Sequence, residues 1–345
     1  MKRIFIICNI LLFVLSLNAE KAITFPELLN PKYLIINKNQ LIISDYPHIY
    51  LYSLDDYSLI RKIGRRGVGP GEFYIMLENM NLKERGLFVS VCPYHIAANC
   101  MNRILYFSRK GDFIREERSH FGINAKFISL GDKLLGFLPD VMKGKLSVSL
   151  FDSNLIKQKE IFNCDYWWNF SSSESHNFFN RASDTLLVSV YDNKIFLARG
   201  DAPVFAIDVY DTNGYKLYTI IKHNPEKIKI TQSFKDEIHK HFRIKFKEVS
   251  DYAIKTLNLP KYFPAIRNFG VADKKIYVFT FKRVSYNNEV LILDIKGNLL
   301  KKVLLPVQEM NPEYLSPFSF YKNKFYQLHF IEETANWELH ITDIK

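Results

Sequence analysis

Residues 275–300 read KIYVFTFKRVSYNNEVLILDIKGNLL, and this stretch contains the unit from which most of the chain is built. A lysine leads into an apolar strand from Ile276 to Phe279, a variable loop follows, and a second apolar strand runs from Leu291 to Leu293. The turn from Asp294 to Gly297 then leads into a third apolar run. Asp, Asn and Gly suit such turns because they tolerate left-handed backbone or bond their own main chain. The unit therefore predicts consecutive antiparallel β-strands.

The same unit recurs along the whole chain. Its first strand begins at six positions, which are 46, 47, 61, 81 and 49 residues apart: Leu41, Leu87, Leu134, Ile195, Ile276 and Phe325. A base period of roughly 40–50 residues is typical of the four-stranded blades of a propeller. We therefore predict an all-β fold, a six-bladed β-propeller with four-stranded antiparallel blades, over residues 20–345.

The two longest intervals between successive first strands, 61 and 81 residues, indicate insertions. One is the aromatic and Ser-rich stretch at about 165–184, and the other is a helical insertion at about 233–257. In the second insertion, apolar residues recur at spacings of three and four, which predicts one apolar helix face: Phe234, Ile238, Phe242, Phe246, Val249 and Ala253. We expect this helix to begin at Thr231 or Ser233, with Asp236 as a capping partner, and to cover one face of the propeller.

Closure of the ring is also predicted from the chain ends. The sequence stops at Lys345, after the strands of the sixth copy and without residues for a fourth strand. A short apolar run, Ala22-Ile23-Thr24-Phe25, precedes the first copy and belongs to none of the six units. We expect it to supply the missing strand, because pairing there would cover an exposed sheet edge.

Two further stretches resemble a known family. The glycine-rich connection from Ile63 to Phe73, IGRRGVGPGEF, resembles the G-x-G-x-G-P-G-E-F segment between blades of NHL-like six-bladed propellers. Residues 259–266, LPKYFPAI, are similar to the segment before a late blade in the bacterial exported "6-bladed beta-propeller" family. The resemblance implies the propeller fold, and it carries no catalytic residue to this chain.

The first residues predict export. Lys2 and Arg3 precede an unbroken apolar run from Ile4 to Leu17, and Asn18-Ala19-Glu20 follows. This is the three-part layout of a secretory signal peptide, so residues 1–19 are expected to be removed after Ala19. The run is shorter than the roughly 20 apolar residues that span a bilayer as a helix. An uncleaved N-terminal anchor is the alternative, and no transmembrane segment is expected in the mature chain, which would be periplasmic, cell-surface or secreted.

The charge balance changes with that export. The whole chain carries a formal net charge of +11, which falls to +9 without Lys2 and Arg3. A basic surplus can indicate nucleic-acid binding. An exported protein rarely meets nucleic acid, so we expect no nucleic-acid partner.

Three cysteines remain in the mature chain, namely Cys92, Cys100 and Cys164. In an oxidising compartment Cys92 and Cys100 allow a short disulfide loop, and buried thiols are the alternative. The spacing Cys92-x2-His95-x4-Cys100 also resembles half of a zinc site. A tetrahedral site needs four ligands, and no second Cys/His pair follows at suitable spacing. We therefore predict neither a metal site nor another cofactor.

Two candidate ligand-binding segments stand out. Trp167 and Trp168 lie in an aromatic cluster that opens onto Ser171-Ser172-Ser173, and exposed rings beside hydroxyls and amides suit a glycan or a peptide. The alternative is that one tryptophan fills a blade interface. Arg65 and Arg66 lie in the glycine-rich connection, where exposed amides and two guanidinium groups could bind an anion; a purely structural connection is the alternative.

The sequence thus favours a binding protein over an enzyme. His-Glu-x-x-His, nucleophile-elbow and triad-like spacings are absent from the chain. We expect an exported ligand-binding or protein-interaction module whose partner is a protein, a peptide or a glycan, with its site on the face that carries the two insertions. The alternative is a metal-dependent hydrolase or lyase with a site at the central channel, because propellers assemble sites from several blades.

Overall fold

The protein folds as a six-bladed β-propeller, seen in a computed structural model. It describes residues 21–74, 87–122, 124–140, 142–165, 176–177, 186–200, 202–222, 226–245, 257–311 and 314–344. The described chain forms six four-stranded antiparallel sheets, each built from sequential strands except the last. The predicted fold class is therefore confirmed.

Each blade contains an inner strand, two central strands and an outer strand. Blades 1 and 2 comprise β2 Tyr33–Asn37, β3 Gln40–Asp45, β4 His48–Ser53, β5 Leu59–Ile63, β6 Phe88–Val91, β7 His95–Cys100, β8 Arg103–Ser108 and β9 Phe113–Arg118. Blades 3 and 4 comprise β10 Lys126–Ser129, β11 Lys133–Asp140, β12 Lys145–Asp152, β13 Lys157–Asp165, β15 Leu186–Tyr191, β16 Lys194–Arg199, β17 Phe205–Asp211 and β18 Lys216–Lys222. Blades 5 and 6 comprise β20 Asn268–Ala272, β21 Lys275–Val284, β22 Asn287–Asp294, β23 Leu299–Pro306, β24 Phe318–Tyr321, β25 Lys324–Ile331, β26 Asn336–Asp343 and the N-terminal β1 Lys21–Phe25.

The core lies between blades. Successive residues of a strand point to opposite faces of its sheet, so Ile42 packs towards blade 2 while Leu41 and Ile43 pack towards blade 6. Apolar clusters result at all six blade interfaces. Aromatic rings fill several of them, as in the stacked pair Tyr277–Phe320, whose ring centroids are 4.1 Å apart. The aromatic residues of the sequence therefore serve sheet-on-sheet packing.

Turn glycines fix the spacing between neighbouring blades. Gly111, Gly214 and Gly297 end the turns between the third and fourth strands and have φ of 90°, 76° and 94°. A Cβ built on Gly297 would lie 2.4 Å from Cγ2 of Ile220, on the outer strand of the preceding blade. Glycine is needed here for the left-handed backbone and for the close approach of the preceding blade.

The second copy of the repeat is displaced by one strand from its predicted position. The run at Leu87–Val89 belongs to the inner strand β6, whereas the strand that corresponds to the other five predicted strands is β7, His95–Cys100. This strand is buried but carries small side chains at Ala97 and Ala98. It lacks the large apolar residues by which the other copies were recognised.

Ring closure is confirmed. The N-terminal strand β1 pairs antiparallel with β26, with Ala22 opposite His340 and Phe25 opposite Trp337. Phe25 is buried in the interface between blades 6 and 1, where its ring centroid lies 4.5 Å from that of Tyr52. The fourth strand of the last blade thus comes from the other end of the chain.

One helix is present in the described chain, α1 at Gln232–Lys245. The hydroxyl of Thr231 accepts the amide hydrogen of Phe234 at 3.2 Å, so Thr231 is the N-cap. The predicted helical segment to residue 257 is wrong at its end, because Leu257–Asn258 form a short strand, β19. Residues 246–256, and with them Phe246, Val249 and Ala253, lie outside the described residues. No described helix is long and apolar enough to cross a bilayer.

Candidate functional site

The strand order places the connections between strands at the two ends of the propeller. In every blade the hairpin between the second and third strands lies at the same end as the connection to the next blade. We call this end the loop face, and the opposite end, with the first-to-second and third-to-fourth turns, the turn face. Both predicted insertions leave the sheets at the loop face. They also contact each other, because β14 (His176–Asn177) pairs parallel with β19 (Leu257–Asn258).

Several loops of this face present large apolar side chains to solvent. Met142 and Tyr286, in the hairpins of blades 3 and 5, are both 95% exposed. Leu29 and Val68, in the connections that lead into blades 1 and 2, are 79% and 72% exposed. Exposed apolar residues that are gathered on one surface are typical of interaction sites. On the turn face Tyr94 and Tyr215 are 77% and 64% exposed, and apolar side chains such as Leu299 are about half exposed where the outer strands begin on the circumference.

Helix α1 is fixed to blade 5 by aromatic packing. Phe234 of the helix meets Phe263 edge to face, with centroids 4.8 Å apart, and Phe263 stacks on Phe281 at 4.3 Å. Ile238, one turn further along the helix, is fully buried. The predicted apolar helix face is therefore confirmed at these two positions, and its function is to hold the helix on the loop face.

A partly buried ion cluster lies beside the helix. The carboxylate of Glu309 bonds both Arg267 and Arg283 through the same oxygen. The Arg267 side chain is 7% exposed and its guanidinium lies over the ring of Phe281, 5.3 Å from the centroid. Burial lowers the pKa of Arg267, and the charge of Glu309 opposes this shift. The cluster joins the connections before blades 5 and 6 to the hairpin of blade 5.

Two histidines stack within blade 6, near the same face. The rings of His329 and His340 are 4.0 Å apart and almost parallel. Burial and the neighbouring His340 lower the pKa of His329 to about 4. His329 hydrogen-bonds Gln327 at 3.0 Å, and the amide group of Gln327 also donates to the carbonyl of Gln308, in the connection from blade 5. These groups anchor that connection to the blade.

The glycine-rich connection is held by its own hydrogen bonds and by Arg103 of blade 2, which donates to its backbone. Glu72 accepts hydrogen bonds from the amide of Gly69 at 2.9 Å and from Arg65 at 2.6 Å. These two contacts hold the pKa of Glu72 below its usual range. The predicted site residue Arg65 is therefore bound to a carboxylate of its own loop, and Arg66 is exposed beside it, with its backbone paired to Phe73.

Trp167 and Trp168, the other predicted site residues, follow the outer strand β13 and lie outside the described residues. The residues that the sequence did not single out are Arg267, Glu309 and the exposed Met142 and Tyr286. In the structure, Tyr286 follows Ser285, which adopts a left-handed conformation with φ of 55° in the hairpin.

The three cysteines are buried and form no disulfide within the described chain. Strand β7 separates Cys92 and His95, on the turn face, from Cys100 at its other end. A six-residue strand spans about 16 Å, so neither the predicted disulfide alternative nor a shared metal site is possible for this pair. Burial opposes ionisation of Cys92, but hydrogen bonds from the His95 side chain and the amides of Tyr94 and His95 prevail and lower its pKa to about 7.

The described part of the chain holds no group of three or more His, Cys, Asp or Glu side chains arranged to bind a metal ion. The loop face offers apolar contacts, arginines and an anchored helix. Such a surface suits non-covalent binding.

Comparisons with known proteins bear on the fold. Residues 27–257, more than half of the chain, match the sequence profile of a family described as "6-bladed beta-propeller". Hydrazine synthase from Kuenenia stuttgartiensis aligns over 88% of this chain and 74% of its own, with 12% identity and a TM-score of 0.42. A DUF4221 family member from Bacteroides vulgatus aligns over 94% of this chain and 99% of its own, with 12% identity and a TM-score of 0.49. No curated protein matches the chain. Identity of 12% is too low to indicate a shared activity.

Proposed function

Because this chain belongs to the 6-bladed beta-propeller family, we propose that it uses the propeller as a scaffold for an interaction surface on the loop face. The partner would be a protein, a peptide or a glycan outside the cytoplasm. A propeller fold hosts many functions, so the proposal depends on the surface. The observation that carries it is the set of exposed Leu29, Val68, Met142 and Tyr286 at the tips of loops that share one end of the molecule.

The surroundings of these tips support binding with little rearrangement. The ion cluster of Arg267, Arg283 and Glu309 fixes two connections to one hairpin. Lys282 in that hairpin also bonds Glu226, in the connection from blade 4, at 2.8 Å. Loops that are ordered before binding lose less conformational entropy when a partner arrives.

Trp167, Trp168, Arg65 and Arg66 remain candidate ligand contacts. All four lie in connections that leave an outer strand at the loop face. Aromatic and arginine side chains are enriched where binding energy is concentrated. We propose that the two tryptophans extend the surface formed by the described loops.

The test is direct binding by the purified mature chain to glycan and peptide arrays. The double variant Met142→Asp/Tyr286→Asp places two charges at the tips of this surface, and Trp167→Ala/Trp168→Ala tests the insertion. The matched control is Tyr94→Asp, which charges an exposed aromatic residue of the turn face. We expect the first two variants to lose a ligand that the control retains. Equal binding by all three variants would refute the loop face as the site.

Export is a separate part of the proposal, and its support is the N-terminal sequence pattern alone. N-terminal sequencing of the protein from its native envelope fraction tests it. We expect the mature chain to begin at Glu20. A chain that still begins at Met1 in the cytoplasmic fraction would contradict export.

A further inference from the structure

A groove of about 470 Å³ opens on the turn face, between blades 4 and 5. It lies at the opposite end of the propeller from the proposed interaction surface. Its volume falls within the usual range for small-molecule sites, roughly 300–1,000 Å³. Its main walls are the first turns of both blades and the third-to-fourth turn of blade 5, which contribute Tyr191, Lys194, Phe196, Lys274, Asp294 and Lys296.

Lysines outnumber aspartates by three to two among the residues that line this groove. Lys194 is paired with Asp192 at 3.7 Å. The carboxylate of Asp294 is occupied by its own turn, since it accepts the amide hydrogen of Asn298 at 2.8 Å and the side-chain amide at 2.7 Å. Within the described chain, the ammonium groups of Lys274 and Lys296 form no ion pair. Asp294 keeps its negative charge, because the hydrogen bonds from Asn298 lower its pKa, and the two unpaired lysines exceed it by one charge.

The residue type at Lys274 departs from the pattern of the repeat, although its backbone does not. This residue is the second of a left-handed turn pair and has φ of 59°. In the corresponding turns of blades 4 and 6 the position is held by Asn193 and Asn323, with φ of 55° and 56°. Asparagine tolerates this conformation better than lysine does. Lysine at this place is therefore not explained by the turn, and it brings a cation to the rim of the groove.

Neutral groups complete the site. The Tyr191 hydroxyl accepts the amide hydrogen of Lys274 at 3.1 Å, which leaves its own hydrogen for donation. Ile295 provides apolar wall, whereas Phe196 borders the groove as a fully buried core side chain. The Ile295 carbonyl accepts a hydrogen bond from Tyr218 of blade 4 at 3.0 Å, which ties the third-to-fourth turn to the neighbouring blade. The groove thus combines two unpaired cations, one hydroxyl donor and an apolar wall, and a hydrogen bond between blades holds one of its turns in place.

We propose that this groove binds a small organic anion whose carboxylate or phosphate oxygens lie between Lys274 and Lys296. The apolar part of the ligand would contact Ile295. Charge-assisted hydrogen bonds to such oxygens are the stronger class of polar contact. Carboxylate and phosphate are the two sources of this chemistry, and the experiment separates them.

Titration calorimetry of the full mature chain with D-galacturonate, glucose 6-phosphate and neutral D-galactose tests the proposal. The variants are Lys274→Asn, which restores the residue of the equivalent turns, and Lys296→Gln. The control is Lys38→Asn, which removes a lysine of left-handed backbone from the first turn of blade 1, on the same face. Loss of one charged hydrogen bond weakens binding by about tenfold or more.

We expect at least one of the two anions to bind and D-galactose not to bind. Lys274→Asn and Lys296→Gln should each lower the affinity for the anion at least about tenfold. Lys38→Asn should leave that affinity unchanged. Binding of D-galacturonate alone assigns a carboxylate ligand, and binding of glucose 6-phosphate alone assigns a phosphate ligand. Failure of both anions to bind at about 10 mM, where even a weak site fills, overturns the proposal. So does unchanged affinity in Lys274→Asn, whose turn is expected to fold at least as well as that of the wild type.

Discussion

At the scale of single residues, buried polar groups distinguish the loop face from the apolar interfaces between blades. Arg267, Glu309 and His329 are each held by named partners, and none belongs to a sequence motif. They were not predictable because their partners come from separate connections and blades. Apolar positions such as Ile276 were predictable, since an uninterrupted apolar run indicates a strand that is buried on both faces.

His329 makes the stability of the fold dependent on pH. Its pKa is about 4 in the folded chain and 6.5 in its ordinary state, so the unfolded chain binds one more proton between these values. Stability from this group is therefore complete above pH 6.5 and decreases as the pH falls towards 4, by about 2–3 kcal/mol. In His329→Gln, urea unfolding at pH 7 and pH 4.5 should show a smaller loss of stability than in the wild type. The same loss in both proteins would contradict a buried neutral imidazole.

At the scale of elements, the helix and the turns show where local sequence signals are sufficient. The apolar spacing of Phe234 and Ile238 predicted which face of α1 packs, and the structure confirms it. The sequence left the start of the helix undecided between Thr231 and Ser233, because the hydroxyl of either residue can cap a helix. The contact that decides between them is the Thr231 hydroxyl with the amide of Phe234. Strand β7 shows the opposite case, since its alanines gave no apolar signal.

The two hydroxyl residues provide a matched pair of variants. Thr231→Ala removes the N-cap and should weaken the helix by about 1 kcal/mol. Ser233→Ala, within the helix and exposed, should have little effect. Hydrogen exchange of the α1 amides measures the difference, with faster exchange expected only in Thr231→Ala. Faster exchange in Ser233→Ala instead would place the cap at Ser233.

Two turn glycines allow the cost of backbone strain to be measured apart from the cost of a poor contact between blades. In Gly297→Ala the new residue has a left-handed φ and its side chain has a close contact with Ile220. In Gly122→Ala it has a left-handed φ of 86° but its side chain has no neighbouring atom within 4 Å. Overpacking costs about 1–3 kcal/mol, so Gly297→Ala should lose that much more unfolding free energy in urea than Gly122→Ala does. Equal losses would mean that Ile220 moves aside without cost.

At the scale of the whole molecule, the closed ring depends on one short strand from the N-terminus. Its pairing was predictable, because the last copy lacked a fourth strand and residues 22–25 had no other place. The loop-face surface was predictable only as a location, from the two long steps in the repeat. Its exposed tips, such as Met142 and Tyr286, became visible only when the ring placed distant hairpins on one face.

Removing the buried ring of β1 should therefore destabilise the whole propeller. Phe25→Ala leaves a cavity between blades 6 and 1 and should lower the free energy of unfolding by about 3–5 kcal/mol. Ala22→Ser, at an exposed position of the same strand, is the control and should unfold like the wild type. An unchanged urea midpoint for Phe25→Ala would show that the strand is not needed for closure.

The interaction surface is the central claim, and photo-crosslinking in the native cell tests it most directly. A photoreactive amino acid is placed in turn at Met142 and Tyr286 on the loop face, and at Tyr94 on the turn face. The account predicts that both loop-face positions form a covalent adduct with the same partner and that Tyr94 does not form it. An adduct with that partner from Tyr94, or none from either loop-face position, would contradict the account.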